Sequence, residues 1–209
     1  MADGIILAAG YSSRAKTNKM LLIFKNKSLI SHAIDGMMPF VSHVFVITGH
    51  YHQEIEEALK GMKNVYCIEN RNYHQGMFSS IQTGADVVSG DFFVLPGDCP
   101  FVHPSTYELL LNGSKEMRVP SFLGRKGHPL FIQKHLIKPL IDESVTSNLK
   151  LFRNQHDLEI IETDDPNILT DIDTIEDYMK LTKPTGKEEK DGMLVLMIVT
   201  VKHPVACSM

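Results

Sequence analysis

Apolar and polar segments alternate along the first half of the chain, and their lengths predict strands and helices in turn. Gly4–Ala9 (GIILAA) is a short, continuous apolar run, as is typical of a strand buried on both faces. Further strands are predicted at His43–Thr48, Val65–Glu69 and Asp91–Leu95. Helices are predicted at Ser28–Met38, Tyr51–Lys60 and around Ser79–Val88. Strands that alternate with helices form βαβ units, so we predict an α/β fold with a mostly parallel sheet.

Residues that begin and end helices support these boundaries. Ser28 is a candidate N-cap and Pro39 a candidate stop for the first predicted helix, and Gly61 closes the second. In parallel α/β sheets, ligands bind outside the carboxyl ends of the strands. The loop after Gly4–Ala9 and the segment PGDCP (residues 96–100) both follow such ends. A binding site is therefore expected at this edge of the sheet.

The second half of the chain is less regular. Strands are predicted at Arg118–Phe122, Leu130–Ile132 and Leu158–Ile161. Helices are predicted near Gln133–Ile141, Val145–Asn154 and Thr174–Leu181. We expect this half to supply the wall that binds a second substrate. Residues 1–182 are predicted to form one domain, followed by a charged linker at 183–192 and an apolar tail of unassigned role at 193–209.

The composition narrows the possible partners. The formal net charge of −4 argues against binding to nucleic acid. No apolar run reaches the roughly 20 residues of a membrane span, and the N-terminus does not read as a signal peptide, so no membrane partner is expected. The cysteines at positions 67, 99 and 207 form no C-x-x-C pair that would suggest zinc or disulfides. Free thiols favour a cytoplasmic protein whose partners are small molecules.

The first candidate site is the loop within IILAAGYSSRAKTNK (residues 5–19). The small residues Ala8, Ala9 and Gly10 allow a ligand to approach the backbone, whose N–H groups can face phosphate oxygens. Arg14 offers a bidentate fork for phosphate, and Lys19 offers a point charge. A solvated surface connector is an equally good interpretation of this spacing, which matches neither of the two best-known phosphate loops.

A carboxylate stands at the second strand end. Asp98 lies between Pro96 and Pro100, which should stiffen the backbone around it. A single acid in this place suits Mg²⁺, which takes one or two carboxylates together with substrate phosphates. An ordinary turn is the alternative. We expect Cys99 to be a buried neighbour, because no partner base for a nucleophilic thiol is identifiable.

Further candidate ligands lie in LTDIDTIEDY (residues 169–178). Asp171 and Asp173 would point the same way on an extended segment, and either of them could complete a metal site with Asp98. The spacing does not distinguish between them. Thr174 and Asp177 resemble a capping box for the last helix.

Two more segments contain polar groups suited to ligands. Gly76 opens a predicted helix whose first turn carries Ser79 and Ser80, which either bind a base edge or a phosphate, or cap the helix. GRKGHP (residues 124–129) places Gly127 and His128 in a tight loop. A histidine in such a loop is most often an ordinary surface residue.

Taken in order, these segments resemble the molybdenum cofactor nucleotidyltransferase family, within the wider nucleotidyltransferase superfamily. The family pattern is LAAG-x-S-x-R-M-G-x-x-K, G-M-x-x-S-I-x-x-G, P-x-D-x-P, G-x-x-G-H-P and D-I-D-T-P-E-D. This chain has LAAGYSSRAKTNK, GMFSSIQTG, PGDCP, GRKGHP and DIDTIED. The resemblance covers roughly residues 3–181. It departs from the family at Ala15-Lys16, where the pattern has Met-Gly, and at Ile175, where it has Pro.

The resemblance implies a Rossmann-like three-layer α/β/α sandwich of the nucleotide-diphospho-sugar transferase type. It also implies transfer of a nucleotidyl group from an NTP to a phosphorylated acceptor, with Mg²⁺ as cofactor. The implied catalytic residues are Arg14, Lys19 and Asp98, and the implied metal ligands are Asp98 with Asp171 or Asp173. The implied nucleotide-binding residues are Leu7, Ala8, Ala9, Gly10, Arg14, Lys19, Ser79 and Ser80. Gly127 and His128 would face the acceptor.

Within the family, LAAG resembles the branch that uses cytosine, which favours CTP as donor and molybdopterin as acceptor. A sugar phosphate or a polyol phosphate is an alternative acceptor. A nucleotide-binding protein without turnover, which would partner a molybdoenzyme while its cofactor is inserted, is a second alternative. A Rossmann dehydrogenase is disfavoured, because the first βα turn lacks the glycines of G-x-G-x-x-G.

Overall fold

The computed structural model describes residues 1–13, 15, 17–144 and 147–182. The predicted linker and apolar tail lie outside the described residues, as do Arg14, Lys16, Val145 and Thr146. The strands are β1 (Ala2–Ala8), β2 (Ile23–Phe24), β3 (Lys27–Ser28), β4 (Val41–Thr48), β5 (Val65–Glu69), β6 (Phe92–Pro96), β7 (Met117–Phe122), β8 (Arg125–Lys126), β9 (Leu130–Ile132) and β10 (Leu158–Glu162). The helices are α1 (Leu29–Met37), α2 (His52–Leu59), α3 (Met77–Ala85), α4 (Pro104–Leu111), α5 (Ile137–Asp142), α6 (Leu149–Asn154) and α7 (Ile175–Thr182).

One sheet forms the centre of the fold, in the order β10-β7-β9-β6-β1-β4-β5, with β8 paired to β7. β4 and β6 flank β1 and run parallel to it, β5 runs parallel to β4, and β10 runs parallel to β7. β9 is antiparallel to both β6 and β7. The mostly parallel sheet predicted from the sequence is therefore confirmed, and β9 is a reversed strand inserted within it.

Helices cover both faces of the sheet. Successive side chains of a strand point to opposite faces, so Ile5 and Ile6 of β1 are both fully buried but belong to different hydrophobic clusters. The cluster around Ile6 includes residues of α1, α2 and α4, and the cluster around Ile5 includes residues of α3, α5 and α6. This arrangement is the three-layer α/β/α sandwich that the sequence resemblance implies.

The pairing of β1 with β6 places the two candidate loops side by side. Leu7 is aligned with Pro96 in this parallel pair, and the backbone N–H of Gly97 donates to the carbonyl oxygen of Leu7 at 2.9 Å. A Cβ at Gly97 would lie 2.9 Å from the sulfur of Met20 and 3.1 Å from the Leu7 oxygen. Glycine therefore permits the close approach of the two strand ends.

Several predicted helix boundaries are confirmed and others need correction. Ser28 caps α1, because its Oγ accepts a hydrogen bond from the N–H of Ser31 at 3.3 Å. Gly61 follows α2 with a φ of +83°, as expected for a closing glycine. Pro39 does not stop the first helix: α1 ends at Met37, and Pro39 lies inside a following 3-10 turn, where its fixed φ is acceptable.

Other boundaries shift because capping residues override the apolar pattern. α3 begins directly after Gly76, whose φ is +102°, as the sequence predicts, and it ends at Ala85, before the predicted end at Val88. α6 begins at Leu149 because Asn148 caps it, and Val145 and Thr146 of the prediction lie outside the described residues. α4 is absent from the sequence prediction. None of the described helices is long and apolar enough to cross a membrane.

Candidate active site

A cavity of about 410 Å³ opens at the carboxyl ends of β1 and β6. The loop Leu7–Ser13 forms one wall, so the small residues singled out in the sequence do line a cavity. The rest is contributed by the segments before and within α3 and by the site side chains: Lys19, Met20, Tyr73, His74, Gly76, Met77, Ser80, Pro96, Asp98 and Asp173. Ser79 is not among these lining residues.

Lys19 joins the two acidic segments of the site. Its Nζ donates to Oδ2 of Asp98 at 2.7 Å and to Oδ1 of Asp173 at 2.9 Å. Lys19 is only 9% exposed, so these charged hydrogen bonds form largely out of water. The structure therefore brings together Lys19, Asp98 and Asp173, three residues that the sequence assigns to one site.

Backbone hydrogen bonds fix the positions of the two carboxylates. Asp98 lies in the turn after β6, where the N–H of Cys99 donates to the carbonyl oxygen of Pro96 at 3.1 Å. The N–H of Ile172 donates to the carbonyl oxygen of Asp98 at 2.9 Å. This second bond anchors the DIDT segment on the PGDCP turn and sets Asp173 beside Lys19.

Asp171 takes a different position from Asp173. Asp171 is exposed, whereas Nζ of Lys19 contacts the carboxylates of Asp98 and Asp173. Asp171 still acts electrostatically on this region: burial raises the pKa of Cys99, and the negative charges of Asp98 and Asp171 raise it further. Asp173 is therefore the direct partner of Lys19, and which of the two aspartates binds a metal stays a prediction.

Burial and carboxylates act in opposite directions on the charge of Lys19. Burial is the largest single influence and lowers its pKa, whereas the hydrogen bonds and charges of Asp98 and Asp173 raise it. The net result is a pKa above the usual value for lysine. Lys19 is therefore a permanent cation at neutral pH, held in place before any ligand arrives.

The donor set fits a magnesium ion that is shared with a substrate. Oδ2 of Asp98 and Oδ1 of Asp173 both lie within 2.9 Å of one nitrogen atom, so the two oxygens converge on a single position. Carboxylate oxygens are the ligands that Mg²⁺ prefers, and Mg²⁺ commonly takes one or two of them plus phosphate oxygens. Within the described residues, no group of three His, Cys, Asp or Glu side chains is arranged to hold a metal. A metal bound by these two carboxylates would thus need further oxygens, from water or from a phosphate.

Asn70 organises the first turn of α3. Its Nδ2 donates to Oγ of Ser79 at 2.9 Å and to Oγ of Ser80 at 3.0 Å, and its Oδ1 accepts from the N–H of Asn72 at 2.9 Å. Ser80 is buried and lines the cavity. Ser79 instead contacts the carbonyl oxygen of Gly76 at 2.8 Å, which is a role in shaping the loop.

The loop GRKGHP lies at a second, smaller cavity of about 60 Å³. Gly127 and His128 line it, and it shares the wall residues Leu7, Met77 and Pro96 with the larger cavity. An added Cβ at Gly127 would lie 2.3 Å from the carbonyl oxygen of Ile168, so the loop requires glycine there. The predicted acceptor residues are thus adjacent to the predicted nucleotide residues, across a common wall.

His128 is half-buried, and its surroundings favour the neutral form of its ring. Burial lowers its pKa below the ordinary value, and the charges of Asp98 and Asp171 offset this only in part. His128 is therefore less exposed than an ordinary surface histidine, and its place at the acceptor site stays a prediction. Cys99 is buried, and burial raises its pKa, so this thiol is the inert neighbour that the sequence predicts.

Two aromatic residues at the cavity were not identified from the sequence. The rings of Tyr11 and Tyr73 lie 5.2 Å apart, and Tyr11 is 50% exposed. Tyr11 occupies the variable position of LAAG-x-S, where the pattern gives no signal. Asn70 was also missed, although a polar residue directly after β5 is a usable signal in a parallel sheet. Arg14 and Lys16 lie outside the described residues, whereas Ala15 is buried.

A family model described as the MobA-like NTP transferase domain matches residues 4–158. The match spans well over half of the 209 residues and includes Lys19, Asp98 and His128. The chain belongs to the MobA-like NTP transferase family. Its membership in a nucleotidyltransferase family confirms the resemblance drawn from the five motifs.

Individual relatives of this MobA-like protein are named for different nucleotides. The molybdenum cofactor cytidylyltransferase of Escherichia coli (strain K12) is 26% identical over 179 residues, which cover 85% of this chain and 93% of the relative. A probable molybdenum cofactor guanylyltransferase of Bacillus cereus (strain G9842) is 28% identical over 200 residues, which cover 88% and 98%. A nucleotidyl transferase from Methanothermobacter superposes with a TM-score of 0.74 at 22% identity, over 87% of this chain and 95% of its own.

Proposed function

We propose that this MobA-like NTP transferase uses Mg²⁺ to transfer CMP from CTP to the phosphate of molybdopterin, with release of pyrophosphate. The observation on which this rests is the position of Lys19 between Asp98 and Asp173, at the end of a loop of small residues. In the proposed reaction an acceptor phosphate oxygen attacks the α-phosphorus of the nucleotide. The bond from that phosphorus to the β-phosphate oxygen breaks, and pyrophosphate leaves.

Phosphoryl-type transfer requires positioning and charge neutralisation more than a protein nucleophile. The loop Leu7–Gly10 supplies backbone close to the nucleotide, and the fixed ammonium of Lys19 stabilises negative charge on the triphosphate and on the departing pyrophosphate. Arg14 is proposed to share this task. Ser80 and the ring of Tyr11 line the cavity where the base would lie.

Asp98 and Asp173 would hold the magnesium ion. When bound, Mg²⁺ supplies positive charge to the phosphate oxygens. Because Lys19 already spans these carboxylates, it keeps two like charges together at one position until the substrate and the ion arrive. Asp171 is proposed to act through its charge only.

CTP is favoured over GTP by the LAAG sequence and by the cytidylyltransferase relative. The guanylyltransferase relative makes GTP the second candidate. A thermal-shift comparison of CTP and GTP, each with and without Mg²⁺, tests this choice. We expect CTP with Mg²⁺ to give the largest rise in Tm, and a larger rise with GTP would reverse the assignment.

Molybdopterin is favoured as acceptor because both relatives act in molybdenum cofactor synthesis by name. Gly127 and His128 would face it from the small cavity. A sugar phosphate or polyol phosphate remains the alternative acceptor, and a screen of phosphorylated acceptors against one NTP separates them by pyrophosphate release. We place the reaction in the cytoplasm, where Cys67 and Cys99 stay free thiols, with a molybdoenzyme as recipient of the product.

A further inference from the structure

Arg153 of α6 is a charged residue without a protein partner in the part of the chain that the structure describes. Its Nε is buried, and no hydrogen-bond acceptor contacts it. Arg118 shows the contrast: its guanidinium is also buried, but it donates to the carbonyl oxygens of Leu110 and Lys115 at 2.8 Å. Buried donors are nearly always paired in native proteins, and arginine keeps its charge at any physiological pH.

Arg153, whose Nε is unpaired, is a lining residue of a cavity. Arg153 lines the small cavity of about 60 Å³ together with His128, and these two are the polar side chains among its described lining residues. The remaining side chains, such as Ile81, Val94 and Leu130, are apolar and offer no acceptor. No described residue of this cavity accepts from Nε of Arg153, so a ligand or a water that enters the cavity can supply the acceptor.

The size and the location of the cavity restrict the ligand. About 60 Å³ exceeds the ~10–15 Å³ that a single water needs, and suits a compact group better than a whole heterocyclic substrate. Leu7, Met77 and Pro96 separate this cavity from the larger one, which contains Lys19 and the carboxylates. A group held by Arg153 would thus lie close to the proposed triphosphate position.

We infer that Arg153 binds the phosphate monoester of the second substrate, with His128 beside it, and so determines that this substrate must be phosphorylated. The inference rests on the proposed nucleotidyl transfer, because it assigns the acceptor side of that reaction. Arg153 is suited to this task because its planar fork binds two oxygens of one phosphate. The phosphate then supplies the missing acceptor for Nε.

The test compares Arg153→Met with Lys150→Met, which removes the same charge from an exposed position on the same helix. Inorganic phosphate is the probe, and its binding is followed by thermal shift while saturating CTP or GTP, whichever raises Tm more, occupies the larger cavity. We expect phosphate to bind about tenfold more weakly to R153M than to the wild type, and K150M to bind like the wild type. Without ligand, R153M should melt at or above the wild-type temperature, because an unpaired buried donor is gone.

A purely structural arginine would behave differently, with a lower Tm of unliganded R153M and unchanged phosphate affinity. That result would overturn the inference, as would an absence of phosphate binding to the wild type or equal weakening in K150M. If R153M does not fold, Arg153→Lys replaces it as the test variant. Lysine keeps the charge but loses the planar fork, so phosphate should bind to R153K at least about threefold more weakly than to the wild type. Unchanged phosphate affinity in R153K would contradict the inference. The test measures phosphate binding and not turnover. The inference about Arg153 can therefore be contradicted while the wild type still releases pyrophosphate.

In steady-state kinetics with a phosphorylated acceptor, R153M should raise KM for the acceptor about tenfold and leave KM for the nucleotide within about twofold. A rise in the nucleotide KM instead would place Arg153 on the triphosphate side and overturn the assignment. Failure of the proposed function would appear in a separate way, as an absence of pyrophosphate from the wild type with every acceptor.

Discussion

Lys19 and Asp98 lie 79 positions apart in the chain, yet their side chains meet at 2.7 Å. Lys19 precedes the first helix, and Asp98 follows the strand β6. The parallel pairing of β1 with β6 explains this meeting, because it brings the loops that follow both strands to one edge of the sheet. Asp173 joins them through the backbone hydrogen bond from Ile172 to Asp98.

Replacing Lys19 tests two roles of its ammonium group: stabilising the triphosphate and neutralising the two carboxylates. In Lys19→Met we expect turnover to fall about a hundredfold, because a preorganised cation is lost from the triphosphate site. We also expect Mg²⁺ alone to raise the Tm of K19M more than that of the wild type, because both carboxylates lose the ammonium of Lys19. Lys27→Met removes a lysine from an exposed ion pair with Asp35 and serves as the control. Equal magnesium effects in K19M and the wild type would argue against a shared position for ammonium and metal.

The two aspartates of the DIDT segment should differ in importance. Asp173→Asn should lower turnover about a hundredfold, since Asp173 contacts Lys19 directly. Asp171→Asn removes the same charge from an exposed residue two positions away. We expect turnover to fall less than about tenfold in this variant. Turnover measured over a range of Mg²⁺ concentrations distinguishes them. A larger loss of turnover in D171N than in D173N would show that our proposal assigns the metal to the wrong carboxylate.

Asn70 should matter for stability as well as for nucleotide binding. Asn70→Ala leaves the buried hydroxyl of Ser80 without its partner, and we expect a loss of about 1–3 kcal/mol in the free energy of unfolding. Urea denaturation measures this loss. Asn72→Ala, at an exposed neighbouring position, should change the free energy by less than about 0.5 kcal/mol. If both variants unfold alike, the hydrogen bonds of Asn70 do not organise α3.

His128 should make the protein sensitive to mild acid. Its folded pKa lies below the unfolded value of about 6.5, so the unfolded state binds the proton more tightly. The stabilising effect of neutral His128 is therefore complete above that pH and is lost as the pH falls below it. In His128→Gln we expect a smaller drop in Tm between about pH 7 and about pH 5 than in the wild type. His74→Gln, at an exposed position, is the control and should leave the dependence of Tm on pH unchanged. If Tm falls as much in H128Q as in the wild type over this pH range, the prediction is contradicted.

The part of the fold that carries the nucleotide residues could be predicted because its physical signals are strong. β1, β4 and β6 each contain a continuous apolar run, and each is buried by helices on both faces. α4 was missed because its pattern is blurred: Tyr107 and Leu110 are buried, but Leu109 and Leu111 are 41% and 36% exposed. A three-residue strand such as β9 contains no signal for its direction, so its reversal is visible only in the structure.

Some residues of the candidate site could also be predicted from the sequence, and others could not. Small residues, a lysine and a carboxylate at strand ends could be assigned, since parallel strands bring their carboxyl ends together. The sequence could not predict which of Asp171 and Asp173 contacts Lys19. That contact depends on a hydrogen bond between Ile172 and Asp98, which lie 74 positions apart in the chain. Arg153 could not be found either, because a single arginine on a short helix gives no sign that its Nε is buried and unpaired.

Pyrophosphate release tests the proposed reaction most directly. The wild type and Asp98→Asn are incubated with CTP, Mg²⁺ and molybdopterin, and pyrophosphate is measured against reactions without acceptor. We predict release by the wild type that depends on molybdopterin, and about a hundredfold less by D98N. Binding of CTP without release, with GTP also inactive and no other phosphorylated acceptor used, would contradict the proposal and point to a nucleotide-binding protein without turnover.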